Sequence, residues 1–323
     1  MLIVRVPLRI SFFGGGTDLP EFYGSEPPGA VFSTAIDKFV YVLVKKRFNA
    51  TEWRLSYKQS EEVSSIADIK NALIRESLLD AEYLEPCEIA TLSDISTIGT
   101  GLGGSSAIAV GLVKTLTGEQ DRTSLAERAY HIERDRVGQR LGKQDQYIAA
   151  FGGMNTIEFD SRECRVTPAL IPAEVRDALE KRLLLFCIGD ARPADPILAD
   201  CAVRVDENLR ALFAMRQQAF AAEAMLRSGR LEWFGRMLDD AWALKKALSP
   251  LVTTADVDAA YEAACAAGAL GGKLCGAGGS GFLLLYVPEE KQVAVRAALA
   301  RLPELPFGFW QDGAEVIWRA PGW

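Results

Sequence analysis

The chain has 323 residues, of which 49% are hydrophobic and 24% are charged, a balance that is typical of a water-soluble globular protein. This length accommodates one large or two ordinary domains, and we expect two. The net charge of −7 argues against binding to nucleic acid or to a membrane surface, and no apolar run reaches the ~18 residues that span a bilayer. A single histidine excludes a histidine-rich metal site, and six scattered cysteines without CxxC pairs suit the reducing cytoplasm.

The first segment, residues 2–13, contains many β-branched residues in partial alternation and predicts a strand that ends at a glycine turn. This turn, residues 14–18 (GGGTD), follows Arg9 and closes with Asp18. Asp18 either caps the turn or hydrogen-bonds a ligand that approaches the glycine backbone closely. Residues 39–45 and 51–57 predict two strands of a hairpin, and residues 66–79 predict a helix.

Residues 99–107 (GTGLGGSSA) lie between a predicted strand, 87–92, and a predicted helix, 107–116. Glycines let the backbone approach a ligand, and the N-terminus of a helix favours an anion through its free N–H groups and its dipole. The two serines add hydroxyls that can reach phosphate oxygens or a magnesium ion. The segment therefore indicates a phosphate loop; the alternative is a glycine turn whose serine caps the helix.

Two well-known glycine patterns fit less well. The Walker pattern, GxxxxGK followed by Ser or Thr, does not occur. Gly99, Gly101 and Gly104 fit the GxGxxG pattern of dinucleotide-binding proteins, and Asp121 stands near the required distance. However, Asp121 lies in a polar stretch and not at the end of a second strand, so a nicotinamide-dependent oxidoreductase remains only an alternative.

The next predicted helix begins with a capping box, Ser124 and Glu127, and ends at Gly138. Glu133 shares the apolar face of this helix, which is unusual for a carboxylate. It either pairs with one of the neighbouring arginines or binds a cation. His131 points to a different side of the helix, and we expect it to be a structural or surface residue.

Asp145 follows in the segment 142–153 (GKQDQYIAAFGG), where it either caps a short helix, 146–150, or acts as a general base or an electrostatic anchor facing the loop at Gly101. The remaining chain predicts the following elements: strand 182–188, amphipathic helices 196–226, 231–248 and 255–267, a second glycine loop at 271–281, strand 282–287, helix 290–302 and strand 315–319. Six glycines in the eleven residues of the second loop indicate either a bare turn or a backbone packed against a ligand.

Three glycine motifs in this order resemble those of the GHMP small-molecule kinases, and the resemblance covers almost the whole chain. These motifs are RISFFGGGTD at 9–18, GTGLGGSSA at 99–107 and KLCGAGGSGF at 273–282. Between the last two, Glu133, the pair VG at 137–138 and GKQDQ at 142–146 have the family's spacing to its catalytic aspartate. The resemblance implies an α+β fold with two domains, which we place at residues 1–167 and 168–323. The first is of the ribosomal protein S5 domain 2 type and the second is ferredoxin-like, with the active site between them.

The resemblance also implies roles for particular residues, with ATP and Mg²⁺ as cofactors. Asp145 would orient or deprotonate the acceptor hydroxyl, and Arg9 would stabilise both Asp145 and the transferred phosphoryl group. Ser106 and Glu133 would hold magnesium, with Ser105 as the alternative to Ser106. The predicted ATP-binding residues are Gly99, Gly101, Leu102, Gly103, Gly104, Ser105, Ser106 and Ala107.

The predicted substrate site includes Asp18, which would bind sugar hydroxyls, and the glycine-turn residues Gly15, Gly16, Thr17, Gly276 and Gly278. The segments PLRISFFGGGTDLPEFY, AIDKFVYV and GKQDQYIAAFGGMN are similar to those of family members that phosphorylate the anomeric hydroxyl of a heptose phosphate. A substrate of that kind needs a cation for its distal phosphate, and Lys273 and Arg192 are the candidates. The alternatives are another sugar-1-kinase, for instance of the fucose type, and a binding or sensor protein without turnover. The sequence leaves the oligomeric state open.

Overall fold

The computed structural model describes residues 1–24, 28–96, 99–189 and 194–321. Within them the strands are β1 (Leu2–Phe13), β2 (Gly29–Lys46), β3 (Trp53–Ser56), β4 (Ser60–Val63), β5 (Cys87–Ser93), β6 (Met154–Phe159), β7 (Cys164–Pro168), β8 (Leu183–Ile188), β9 (Gly271–Leu274), β10 (Gly281–Tyr286) and β11 (Glu315–Arg319). The helices are α1 (Pro20–Tyr23), α2 (Ala72–Asp80), α3 (Gly104–Thr117), α4 (Arg122–His131), α5 (Gln144–Phe151), α6 (Ala173–Lys181), α7 (Asp195–Val203), α8 (Val205–Arg227), α9 (Leu231–Leu248), α10 (Ala255–Ala266) and α11 (Gln292–Ala298). Short 3-10 turns occur at Ile66–Asp68 and Glu289–Lys291, and a π-helical turn at Ile132–Arg136. None of the helices in these ranges has both the length and the apolar character that crossing a membrane requires.

The larger sheet has the order β11-β1-β2-β5-β3-β4, and β6 joins it through β2 and carries β7. The predicted strands 2–13 and 315–319 are confirmed as β1 and β11, which pair with each other although they come from opposite ends of the chain. From Val6 onwards β1 is buried at every residue, because helices pack against it as well as the neighbouring strands. Gly111 of α3 lies so close to the sheet that an added Cβ would be 2.5 Å from Val42.

The smaller sheet is antiparallel, with the order β8-β10-β9. Helix α9 connects the cores of the two sheets, since Phe234 contacts Phe12 and Phe13 edge to face at ring distances of 5.3 and 5.0 Å. One hydrophobic cluster therefore includes residues of both sheets. The α+β class is confirmed, and the domain division at residues 167/168 stays a prediction.

Several predicted elements differ in their partners or bounds. The hairpin of 39–45 with 51–57 is wrong, because β3 pairs with β4 and, in parallel, with β5. The predicted helix 66–79 is interrupted, since the side chain of Asn71 accepts a hydrogen bond from the amide of Ile74 and starts α2 anew. The predicted helix 196–226 divides into α7 and α8 around Arg204, and the helix predicted at 290–302 ends at Ala298.

The capping box at Ser124 and Glu127 is also wrong. Asp121 caps α4, and its Oδ1 accepts a hydrogen bond from the Ser124 amide at 2.7 Å. Glu127 instead accepts hydrogen bonds from Lys143 at 2.8 Å and from the Tyr147 hydroxyl at 2.6 Å. These contacts fix the chain on both sides of Asp145 to helix α4.

Candidate active site

The predicted motifs meet around one cavity of about 460 Å³. It is lined by residues from both halves of the chain, including Arg9, Gly15, Gly16, Asp18, Gly99, Gly101, Gly103, Gly104, Ser105, Ser106, Glu133, Asp145, Lys273 and Gly276. Sequence motifs from opposite ends of the chain therefore line a single cavity.

The phosphate loop ends at the N-terminus of α3. Gly103 has φ 77° and ψ 22°, a left-handed conformation that favours glycine, and it precedes the first helical residue, Gly104. A Cβ at Gly103 would be 3.2 Å from Cγ of Arg9 and 3.5 Å from Cγ of Asp145. The first N–H groups of α3 have no partner within the helix, so this end of the cavity suits an anion.

The two glycine loops pack backbone to backbone. A Cβ added to Gly101 would be 2.4 Å from the carbonyl oxygen of Cys275, and one added to Gly276 would be 2.3 Å from Cα of Gly101. Side chains at these positions would separate the loops. The second loop is therefore part of the wall of the site and not only a turn between β9 and β10.

Arg9 and Asp145 form a bidentate ion pair at this wall. Nε of Arg9 donates to Oδ1 of Asp145 at 2.7 Å, and Nη2 donates to Oδ2 at 2.7 Å. Nη1 donates to the carbonyl of Gly101 in the phosphate loop. Helix α5 already begins at Gln144, and its N-cap residue is Lys143, so the prediction of Asp145 as a helix cap is wrong.

Glu133 is fully buried beside the two serines of the phosphate loop. The Ser105 hydroxyl donates to Oε1 of Glu133 at 2.7 Å, while Nε2 of Gln146 donates to Oε2 at 2.6 Å and to Oγ of Ser106 at 3.0 Å. Burial raises the pKa of Glu133 to about 6, although the hydrogen bonds from Ser105 and Gln146 oppose the shift.

The backbone around Glu133 forms a π-helical turn, in which the Val137 amide donates to the carbonyl of Ile132 at 2.9 Å. Such turns are rare and occur often at functional sites. The neighbouring Arg134 and Arg136 pair with Glu21 and Glu76. Pairing of Glu133 with a neighbouring arginine is therefore wrong for the described residues. Gly138, with φ 82°, ends this segment as predicted.

The residues around Glu133 fit a magnesium ion. Magnesium prefers oxygen ligands and is usually bound by one or two carboxylates together with substrate phosphates and water. One carboxylate and two hydroxyls are present, whereas the described part of the chain contains no group of three or more His, Cys, Asp or Glu residues that would hold a metal by itself. Ser105 donates directly to Glu133, while Ser106 lies beside Glu133 and accepts a hydrogen bond from the same Gln146 amide group.

Asp18 is buried at the cavity and also stabilises its own turn. Its Oδ1 accepts from the Gly16 amide at 2.9 Å, and its Oδ2 accepts from the Gln144 amide at 3.4 Å. Burial raises the pKa of Asp18, and the nearby Asp145 carboxylate raises it further. Capping the turn and binding a ligand are thus compatible roles for Asp18, since its carboxylate stabilises the turn and also lines the cavity.

Four of the predicted binding residues do not line the cavity but support the loops that form it. The Thr17 hydroxyl donates to the carbonyls of Gly14 and Ala30, at 2.8 and 2.9 Å. Gly278 packs against the backbone of Val252. Leu102 and Ala107 are buried in the core. Arg192 lies outside the described residues.

Sequence reasoning missed Ser11, Gln146 and Lys245. The Ser11 hydroxyl is buried at the cavity and has no hydrogen-bond partner among the described residues. Lys245 is also buried and lines the cavity. The sequence does contain a signal for Lys245. This charged residue shares the apolar face of α9 with Leu238, Ala241 and Leu248, just as Glu133 shares the apolar face of its predicted helix.

His131 is exposed and pairs with Asp135, as expected of a surface residue.

Comparison with known proteins identifies the family. The model of the GHMP kinase N-terminal domain matches residues 67–153, and that of the GHMP kinase C-terminal domain matches residues 221–305. The D-glycero-α-D-manno-heptose 7-phosphate kinase of Campylobacter jejuni is 29% identical over 98% of both chains. The crystal structure of a D-glycero-D-manno-heptose 1-phosphate kinase from Bacteroides thetaiotaomicron has a TM-score of 0.81 and 25% identity over 99% of both chains. A galactokinase of Mycobacterium bovis is 27% identical over 71% of this chain and 72% of its own.

The phosphate loop, the Arg9–Asp145 pair and these similarities together define a small-molecule kinase. The chain belongs to the GHMP kinase family. It is accordingly an ATP-dependent phosphotransferase with an alcohol group as acceptor. The alternative hypotheses of a nicotinamide-dependent oxidoreductase and of a sensor protein without turnover are therefore wrong.

Proposed function

We propose that this kinase phosphorylates the anomeric hydroxyl of D-glycero-D-manno-heptose 7-phosphate, with ATP and Mg²⁺, to give the 1,7-bisphosphate. The similarity to a heptose 7-phosphate kinase over 98% of both chains supports this substrate. The single observation that carries the chemistry is the bidentate Arg9–Asp145 pair, which presents a carboxylate to the cavity directly beside the phosphate loop.

Asp145 acts on the acceptor hydroxyl. The hydroxyl donates a hydrogen bond to the carboxylate, its oxygen forms a bond to the γ-phosphorus, and the bond between that phosphorus and ADP breaks. The hydroxyl proton moves to Asp145 during this step. Because phosphoryl transfer needs little covalent work from the protein, most of the rate enhancement comes from positioning and charge stabilisation.

Arg9 supplies orientation and positive charge. An arginine cannot serve as a base near neutral pH. With Nε and Nη2 on Asp145 and Nη1 on the Gly101 carbonyl, its guanidinium fixes the carboxylate relative to the phosphate loop. The same charge stabilises the phosphoryl group as it passes between donor and acceptor oxygens.

The nucleotide phosphates occupy the loop at 99–107 and the N-terminus of α3. Glu133 and Ser106, with Ser105 as the alternative to Ser106, would hold a magnesium ion, which would neutralise the charge of the phosphates. Gln146 positions these ligands, since one amide group donates to both Glu133 and Ser106.

The acceptor lies against the turn at 14–18. Asp18 and the hydroxyl of Ser11, which has no hydrogen-bond partner among the described residues, bind sugar hydroxyls, and Gly15 and Gly16 leave room for the ring. Thr17 and Gly278 maintain the two loops, and Gly276 forms part of the wall. Lys273, which is buried at the cavity, provides positive charge for the phosphate of the sugar.

ATP consumption with a panel of acceptors tests this proposal. We expect the highest kcat/KM for D-glycero-D-manno-heptose 7-phosphate, with lower values for the free heptose, galactose and fucose. Another sugar-1-kinase of the family is the second candidate, which the similarity to galactokinases favours. A free hexose that is turned over faster than the heptose phosphate would contradict the proposed substrate and support that candidate.

A further inference from the structure

Two lysines from different elements meet at the cavity. Lys245 lies in the last turn of α9 and Lys273 in β9, and their exposed fractions are 7% and 3%. The ammonium of Lys245 donates to the carbonyls of Leu274 and Gly276, at 2.8 and 2.5 Å. That of Lys273 donates to the carbonyl of Phe12 at 3.0 Å.

These contacts do not use all the N–H donors of either ammonium group. An ammonium has three N–H donors, so Lys245 keeps one and Lys273 keeps two. Within the ranges that the structure describes, neither lysine forms an ion pair with a carboxylate. The carboxylate whose charge acts on Lys273 is that of Asp18, which accepts hydrogen bonds from the amides of Gly16 and Gln144. Buried cations are costly unless an anion accompanies them. The pair is therefore arranged for an anion that comes from outside the chain.

We propose that Lys245 and Lys273 together bind a phosphate dianion, namely the phosphate group that the acceptor sugar already carries. This inference rests on the proposed function and makes it more specific, because it assigns the phosphate of the acceptor to two particular residues.

The position of the pair favours the acceptor over the nucleotide. Phe12, whose carbonyl binds Lys273, lies directly before the turn that ends at Asp18. Gly16 of this turn faces α9, since a Cβ there would be 3.5 Å from Leu248, which lies one helical turn after Lys245. The predicted nucleotide side, by contrast, is built around Glu133 and the N-terminus of α3.

The electrostatics of the two lysines predict that binding of an anion is accompanied by uptake of protons. Burial, together with repulsion from Lys273, lowers the pKa of Lys245 to about 7. Burial likewise lowers the pKa of Lys273 to about 8. The charged and titratable groups around the two lysines are Arg9, Asp18, Cys201 and Cys275. At pH 8 both ammonium groups are incompletely protonated, and a dianion that enters should raise both pKa values.

Lys245→Met and Lys273→Met test the pair by steady-state kinetics on the heptose 7-phosphate and on the free heptose. Each substitution should lower kcat/KM for the phosphorylated sugar by about tenfold or more relative to the free sugar, because a charge-assisted hydrogen bond is lost. Lys246→Met is the matched control, since this neighbouring lysine points to Asp258 at the surface. It should leave both values unchanged.

Equal losses of kcat/KM on the two sugars would contradict the proposal that the two lysines bind the phosphate, but would not contradict the proposed heptose kinase activity. A wild-type enzyme that does not use the 7-phosphate would instead contradict the proposed function itself. These two failures are therefore distinguishable.

Calorimetry on the wild-type enzyme provides a test that does not depend on the folding of variants. Titrations at pH 8, in two buffers of different ionisation enthalpy with ADP and magnesium present, should show uptake of about one proton per molecule of heptose 7-phosphate bound. The free heptose should cause none. Absence of uptake with the 7-phosphate overturns the proposal, as does a matching uptake when ATP and magnesium bind without the sugar.

Discussion

Both carboxylate oxygens of Asp145 accept hydrogen bonds from one guanidinium, that of Arg9, each at 2.7 Å. The side chain of Arg9 is 5% exposed, whereas that of Asp145 is 22% exposed and opens to the cavity. The pair thus has a buried cationic side that fixes the geometry and an anionic side that a substrate can reach. Charge-assisted, bidentate contacts of this kind hold orientation well.

The first prediction concerns Asp145→Asn, which removes the proton acceptor but little volume. Turnover should fall by about 10²- to 10⁴-fold, the usual range of a general base. ATP affinity should stay the same, because the phosphate loop and Glu133 are unchanged. Steady-state kinetics and ATP titration measure the two effects. Asp135→Asn, at an exposed residue paired with His131, is the control. Near-normal turnover in Asp145→Asn would mean that positioning by other groups supplies the catalysis.

The second prediction concerns the magnesium ligands. ATP at 100 times its dissociation constant should stabilise the protein by about 2.7 kcal/mol, and by much less in EDTA. Glu133→Gln should remove most of the difference between magnesium and EDTA, since the substitution removes the carboxylate charge. Thermal melting with ATP at a series of magnesium concentrations measures this. Melting curves that do not change with ATP at any magnesium concentration would contradict the phosphate loop.

The third prediction compares two glycines at the ends of α3. Gly103 and Gly118 both have left-handed φ values, 77° and 71°, but an added Cβ meets Arg9 and Asp145 at Gly103 and nothing within 4 Å at Gly118. Alanine at either position should cost about 1–2 kcal/mol of stability through backbone strain.

Turnover separates the two variants. Gly103→Ala should also lower kcat, because the added methyl group would press on Cγ of Arg9 and Arg9 must move by a few tenths of an ångström, whereas Gly118→Ala should leave kcat unchanged. Denaturant unfolding and kinetics on the same samples decide this. Equal kcat values for the two variants would show that the pair tolerates the methyl group.

The fourth prediction concerns the pH dependence of stability. The pKa of buried Asp18 is raised above its ordinary value of 3.8, so the folded state binds more protons than the unfolded state just above that pH. The contribution of Asp18 to stability is therefore largest at acid pH and decreases as pH rises through this window. The free energy of unfolding of the wild type relative to Asp18→Asn should fall between about pH 4 and pH 7.

Urea unfolding at both pH values measures that difference, and a constant difference would contradict the raised pKa. The same variant should have lower activity on phosphorylated and unphosphorylated sugars alike, since Asp18 is proposed to bind the ring. Loss on only one of the two acceptors would place Asp18 elsewhere in the substrate site.

Local patterns determined much of the fold. Runs of β-branched residues predicted β1 and β11, and periodic apolar residues predicted α9, because these patterns depend only on which face of a segment is buried. The partner of β3 was not predictable in this way. Alternation shows that a segment is extended, but it does not select the strand beside it, and β3 lies next to β5 instead of β2.

The same division applies to the site. By itself the sequence marked two glycine loops and Glu133 as candidates for the chemistry, since glycine backbones and a carboxylate on an apolar face are visible in the residue order, and the family resemblance added Asp145. Only the tertiary structure decided that Ser105 donates to Glu133 and that Lys245 of α9 lies close enough to Lys273 of β9 for their charges to interact. Such contacts depend on how α3, α9 and β9 pack, and packing of elements distant in the chain is set by the whole core and not by local spacing.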